Sequence, residues 1–112
     1  MTVVVRRIIE YKPGTEQEVQ ALERDWNAWE RQAGGRPPKR YYGILAGGGH
    51  HWHTLIWERE WEDLTTREAT FAKKLSDDLQ ARAADLNVRS AELYTKITDE
   101  LYWGFTLDEK EA

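Results

Sequence analysis

The sequence predicts an α+β fold in the order strand, helix, strand, strand, helix, strand. Three observations carry this expectation. Four short runs are rich in β-branched or aromatic side chains. Two longer stretches repeat apolar residues at intervals of three and four, the spacing of one helix face. Between the two middle runs stands Gly47-Gly48-Gly49, which can adopt positive φ where the chain reverses.

Residues 2–11, TVVVRRIIEY, form the first expected strand, and Lys12-Pro13-Gly14 ends it. Thr15 and Glu18 have the spacing of a capping box, and Glu16 and Glu18 suit the positive end of a helix dipole. Val19, Leu22, Trp26, Trp29 and Ala33 then make one apolar stripe on a helix of about five turns. Gly34-Gly35 stops it and Pro37-Pro38 prevents its continuation.

Residues 40–46 and 52–61 read as a hairpin around the glycines. Residues 63–87 read as a single second helix, with Leu64, Ala72, Leu75, Leu79, Ala83 and Leu86 on its stripe and Phe71 beside it. Asp78 with Arg82, and Asp85 with Arg89, have the order of favourable i,i+4 pairs. Residues 90–97 are ambiguous, since Ser90 can cap a further short helix, and residues 98–105 read as the last strand. Residues 1–107 make one domain, and 108–112 a charged tail expected to fray.

This order is the split βαβ, ferredoxin-like pattern with a four-stranded antiparallel sheet. Two helices cover only one face of such a sheet. Yet both alternating sets of the strand at 52–61 hold bulky side chains: His53, Leu55, Trp57 and Trp61 in one, Trp52 and Ile56 in the other. Val4 and Ile8 likewise oppose Val3, Val5 and Ile9. The simplest cover for the second face is the sheet of a second copy, giving a homodimer.

The strand ending Glu10-Tyr11-Lys12-Pro13-Gly14, the hairpin, and the run from Thr54 through Trp57-Glu58-Arg59-Glu60-Trp61 to Leu64 resemble the dimeric α+β barrel superfamily. The nearest branch is the NIPSNAP-like proteins, with antibiotic-biosynthesis monooxygenase-like proteins further off. The resemblance spans residues 2–105. It implies two sheets packed face to face in a homodimeric α+β barrel, and a pocket between each sheet and its own helices. Activities in the superfamily include cofactor-independent oxygenation of polyphenols, polyketide cyclisation and haem degradation. The resemblance is one of fold and selects none of them.

Bulk properties exclude several classes. There is no cysteine, so thiolate chemistry and disulfides are absent. The net charge is −4, with 16 basic and 20 acidic residues interspersed, so no basic stripe for nucleic acid or a membrane surface exists. The apolar opening is short and ends in Arg6-Arg7, unlike a signal peptide, and no run is long enough to span a bilayer. A soluble cytoplasmic protein is the expectation.

All three histidines cluster at positions 50, 51 and 53. His51 and His53 would share a strand face roughly 7 Å apart, but a third ligand is missing locally, so neither a metal nor a cofactor is expected. His53 is the candidate general base if its face meets the helices; the alternative is a core histidine bonded to a backbone carbonyl. Trp57, Trp61 and Trp26 are candidate walls of a site for a flat or apolar ligand, and Tyr42 and Tyr102 candidate hydroxyls facing it. Arg6-Arg7 and Glu58-Arg59-Glu60 are expected on a solvated face or in cross-strand ion pairs. Two functions compete: a small-molecule binding protein without catalysis, and a cofactor-independent oxygenase or cyclase with His53 as base. A pure assembly scaffold is the third reading.

Overall fold

A computed structural model describes residues 2–49 and 51–107. His50 and the charged tail therefore lie outside the described residues. The chain runs β1 (Val3–Tyr11), α1 (Glu16–Ala33), β2 (Arg40–Gly43), β3 (Thr54–Trp61), α2 (Leu64–Ala72), α3 (Asp77–Leu93) and β4 (Tyr94–Trp103). The four strands form one sheet in the order β2-β3-β1-β4, and every neighbouring pair is antiparallel. This is the ferredoxin-like arrangement, with the β-branched β1 at the centre. The Cα trace is only 17 Å thick, so it holds one sheet and one layer of helices.

Several local expectations need correction. The second helix is two helices, because Ser76 starts a new one. Its hydroxyl accepts from the Leu79 N–H at 3.2 Å, with Asp77 and Asp78 in the first turn. Ser90 caps nothing; it sits inside α3 and donates to the Leu86 carbonyl at 2.9 Å. The last strand starts at Tyr94, directly after Leu93, with no glycine or proline to mark the change. The capping box at α1 does not form: the Thr15 side chain makes no cap bond and donates instead to the Lys12 carbonyl. Asp78 and Arg82 do approach, at 3.8 Å, but Arg89 pairs with Asp25 of α1 at 2.7 Å rather than with Asp85.

The strand register assigns the two faces. Val3, Val5, Arg7 and Ile9 lie opposite Trp61, Arg59, Trp57 and Leu55 on the face that meets the helices. Val4, Arg6, Ile8 and Glu10 lie on the open face with Glu60, Glu58, Ile56 and Thr54. A shallow trough runs over that open face, lined by Ile8, Tyr42, Ile56, Tyr102 and the charged Arg6 and Glu100. Arg6 and Glu58 bridge there at 3.0 Å, and the Arg6 guanidinium lies over the Tyr102 ring.

The core is divided in two. On the sheet, Val3, Val5, Ile9, Trp57 and Trp61 make one buried cluster. Between α1 and α3, Leu22, Trp29 and Leu86 make another. Tyr94, at the start of β4, packs against both. Full burial of side chains such as Ile9, Val19 and Leu22 contributes about 1.5–3 kcal/mol each. The two clusters do not close on one another, and a cavity lies between them.

Candidate ligand cavity

The helices stand off the sheet because the residues between them are large and charged. α1 places Glu23 one turn after Val19 and Glu30 one turn after Trp26, inside its own apolar stripe. Both carboxylates therefore point toward the sheet. Glu23 is 6 % exposed and accepts from the Tyr41 hydroxyl of β2 at 2.9 Å and from the Tyr94 hydroxyl of β4. Asn27, one turn further on α1, donates to the Tyr41 oxygen at 3.0 Å. Glu30 accepts from Arg59 of β3, and Lys39 reaches it at 3.2 Å and Glu23 at 3.7 Å.

Arg59 is thus not on a solvated face, as its setting in Glu58-Arg59-Glu60 suggested. It is 5 % exposed, between Trp57 and Trp61, with its Cζ 5.2 and 5.9 Å from their rings. The Lys39 ammonium lies 4.6 Å from the centre of Trp57, and the Arg7 guanidinium 5.3 Å from it. Arg7 is held on its other side by Asp99, with two bonds at 2.7 and 2.9 Å. A buried indole ringed by three cations is a favourable use of its negative face.

Burial shifts these groups. It pushes the Lys39 ammonium below its ordinary value, against the pull of Glu30 and Glu23. It pushes the Tyr41 and Tyr94 hydroxyls well above theirs, and the Glu23 carboxylate beside them adds to the rise. Both phenols are accordingly fixed as donors.

Within this frame lies a cavity of about 390 Å3. Its walls include Trp26 and Trp29 from α1, Trp57 and Trp61 from β3, Phe71 from α2, and Ala83, Asn87 and Ser90 from α3. Trp26 and Trp29 meet edge to face at 5.7 Å between centroids. Their indole N–H groups are fixed by Ser90 Oγ at 3.0 Å and the Leu79 carbonyl at 2.8 Å. Such anchoring holds the two rings in place on the cavity wall. The hollow is part aromatic and part charged, since Arg7, Arg36, Lys39, Arg59 and Arg67 share its lining with Glu23, Glu30 and Asp99. Rings with convergent polar groups around a concave space are a common form of small-molecule site.

Of the residues singled out from the sequence, Trp57, Trp61 and Trp26 lie on the cavity wall. Tyr42 and Tyr102 lie on the opposite face of the sheet. His53 precedes β3, half-buried, and is not among the lining residues. Its ring stacks on His51 at 5.3 Å and meets Tyr11 edge-on, while its backbone carbonyl accepts from the Tyr11 N–H at 3.1 Å. His51 lies 3.7 Å from Glu10. Among the described residues, no three or more His, Asp or Glu side chains gather as a metal site would require.

Tyr41, Tyr94, Glu23, Glu30, Lys39, Arg59, Arg67 and Phe71 were missed. For the two glutamates a signal existed, since a charge inside a helix stripe points inward. For Tyr94 none existed until the start of β4 was known.

No protein-family model matches this chain, and no curated protein matches it. Solved structures do match its fold. An uncharacterised NIPSNAP-like domain protein from Burkholderia xenovorans superposes with a TM-score of 0.69 at 18% identity, over 96% of this chain and 88% of that one. A NIPSNAP family protein from Agrobacterium tumefaciens does so with a TM-score of 0.70 at 20% identity, over 97% and 98%. SnoaB, a cofactor-independent oxygenase from Streptomyces nogalater, gives 0.60 at 11% identity, over 95% of each chain. At these identities the likeness is one of fold. The ferredoxin-like fold expected from the strand and helix order is the fold these proteins share.

Proposed function

We propose that this chain is a NIPSNAP-like α+β barrel protein that binds a flat small molecule in the cavity between its sheet and its helices. The observation that supports this best is the set of four indole rings and Phe71 around one hollow, with two of the indoles pinned by hydrogen bonds. Planar walls favour a planar guest. The test is calorimetric titration with the neutral planar probe 2-naphthamide, repeated on Ala83→Phe, which fills the cavity from α3. Binding by the native chain and none by a folded A83F is expected. Equal binding by both contradicts the assignment.

The same fold supports a homodimer formed through the open sheet face. Val4, Ile8 and Ile56 there are only half-buried, and Tyr42 and Tyr102 are exposed. A second sheet would cover them, and the Arg6 and Glu58 rows can pair across a two-fold axis. Sedimentation at micromolar concentration should give twice the 13.2 kDa chain mass; a stable monomer contradicts this. No described helix is long and apolar enough to cross a membrane, which is compatible with a cytoplasmic protein.

An enzymatic reading, a cofactor-independent oxygenase or cyclase, draws on the likeness to SnoaB. With His53 outside the cavity lining, a base acting on a ligand there would have to come from Glu23, Glu30, Lys39 or Asp99. All four are already engaged in ion pairs or hydrogen bonds, so binding is the better supported function.

A further inference from the structure

We infer that the cavity ligand carries an acidic group, as an aromatic carboxylate does, and that Arg36 and Arg67 seat that acid beside Phe71. This rests on the ligand-cavity reading and adds the charge of the guest to it.

The argument is one of charge balance. Among the described lining residues, Arg7, Arg36, Lys39, Arg59 and Arg67 face only Glu23, Glu30 and Asp99 as carboxylates. Asp99 is taken by Arg7, and Glu30 and Glu23 by Arg59 and Lys39. Arg36 and Arg67 form no ion pair among the described residues, although Glu30 acts on Arg36 from further off. Arg36 donates to the Gly34 carbonyl at 3.0 Å, and Arg67 has a buried Nε with no partner. Both guanidiniums nevertheless lie over one ring, at 5.4 and 5.0 Å from the centre of Phe71. Arg36 also lies 5.2 Å from the centre of Trp29.

An unpartnered buried donor is unfavourable, and two guanidiniums gathered at one ring form no ion pair of their own. An anion reached by both supplies the missing acceptor and the counter-charge. Arg59 gives a second sign of the same kind: in a residue 5 % exposed, its Nε is also buried without an acceptor. The excess of positive charge is local, since the whole chain carries −4. A carboxylate suits the geometry, because a guanidinium can present two parallel donors to its two oxygens. The indole walls then take the planar body to which the acid is attached. The guest is therefore flat but not wholly apolar.

The probes are 2-naphthoate and its neutral counterpart 2-naphthamide, titrated by calorimetry into the full chain at low salt. The naphthoate should bind at least about 10-fold more tightly, as a charge-assisted bidentate contact gives. Arg36→Gln and Arg67→Gln should each lower naphthoate affinity by about 10-fold while leaving naphthamide within about two-fold, which also reports that the cavity is intact. Naphthamide binding as tightly as naphthoate overturns the inference and leaves the cavity reading standing. Binding of neither probe overturns both. A glutamine variant that loses both probes equally overturns the assignment of the acid to these two arginines.

Discussion

Glu30→Gln should destabilise the fold far more than loss of the arginine it binds. The carboxylate is the shared counter-charge of two buried cations, Arg59 and Lys39. Their side chains are 5% and 7% exposed. Removing it leaves Arg59 uncompensated and Lys39 with only Glu23, at 3.7 Å, and breaking a buried pair in this way costs about 3–5 kcal/mol. Against a total stability of about 5–15 kcal/mol, that is a large fraction. Arg59→Met is different. Methionine can occupy the slot between Trp57 and Trp61, and Glu30 keeps Lys39 at 3.2 Å. Replacement by an apolar residue of similar volume should cost under about 1.5 kcal/mol.

The two effects also differ in pH dependence. Burial already holds the Lys39 pKa below that of the unfolded lysine, and loss of Glu30 lowers it further. Between the folded and unfolded values the unfolded chain binds more protons, so stability rises with pH there. The cost of E30Q should therefore be larger near pH 6 than near pH 9. Urea unfolding of the native chain and both variants at these two pH values measures all of it. An E30Q penalty below about 1 kcal/mol, or one no larger than that of R59M, would refute the account of a shared counter-charge.

Tyr94 makes a prediction at the alkaline end. Its folded pKa lies above the unfolded value near 10.0, so its contribution is intact below pH 10 and is lost as pH rises beyond it. Stability should fall by up to about 1.4 kcal/mol per pH unit from this group, with a smaller share from the more exposed Tyr41. Tyr94→Phe should flatten that slope in urea unfolding between about pH 10 and 11, and an unchanged slope would contradict it. Ser76→Ala removes the side-chain cap of α3 and should cost about 1 kcal/mol, seen as a fall of several degrees in Tm. No change in Tm would mean that the cap contributes nothing.

The strand order and the first helix were legible because β-branched and aromatic runs and one apolar stripe marked them, whereas the second stripe ran unbroken through the division between α2 and α3. The topology followed from that order. What stayed hidden was set by contacts between elements distant in sequence. Arg59 sits in Glu58-Arg59-Glu60, a run that resembles surface charge, yet it shares its alternation with Trp57 and Trp61, and opposite Val5 it turns inward. Tyr42 and Tyr102 are the converse case. They share a face with each other, but one residue of alternation separates Tyr42 from Tyr41, whose hydroxyl reaches Glu23. The helix break at Ser76 was readable in Ser76-Asp77-Asp78, an N-terminal signature overridden by the continuous apolar stripe. His53 has the right parity for the helix face, but it stands before β3 begins, beyond the hollow.

The tryptophans provide the most direct test of the cavity. Trp26, Trp29, Trp57 and Trp61 line it, whereas Trp52 and Trp103 are 83% and 69% exposed and outside its lining. In a 15N-labelled sample the indole N–H groups give separate NMR signals, which single Trp→Phe variants assign. Titration with 2-naphthamide should shift the signals of the four cavity tryptophans and leave those of Trp52 and Trp103 unmoved. Shifts confined to Trp103, beside the exposed Leu101 and Phe105, would place binding on the outer surface and contradict the cavity as the site.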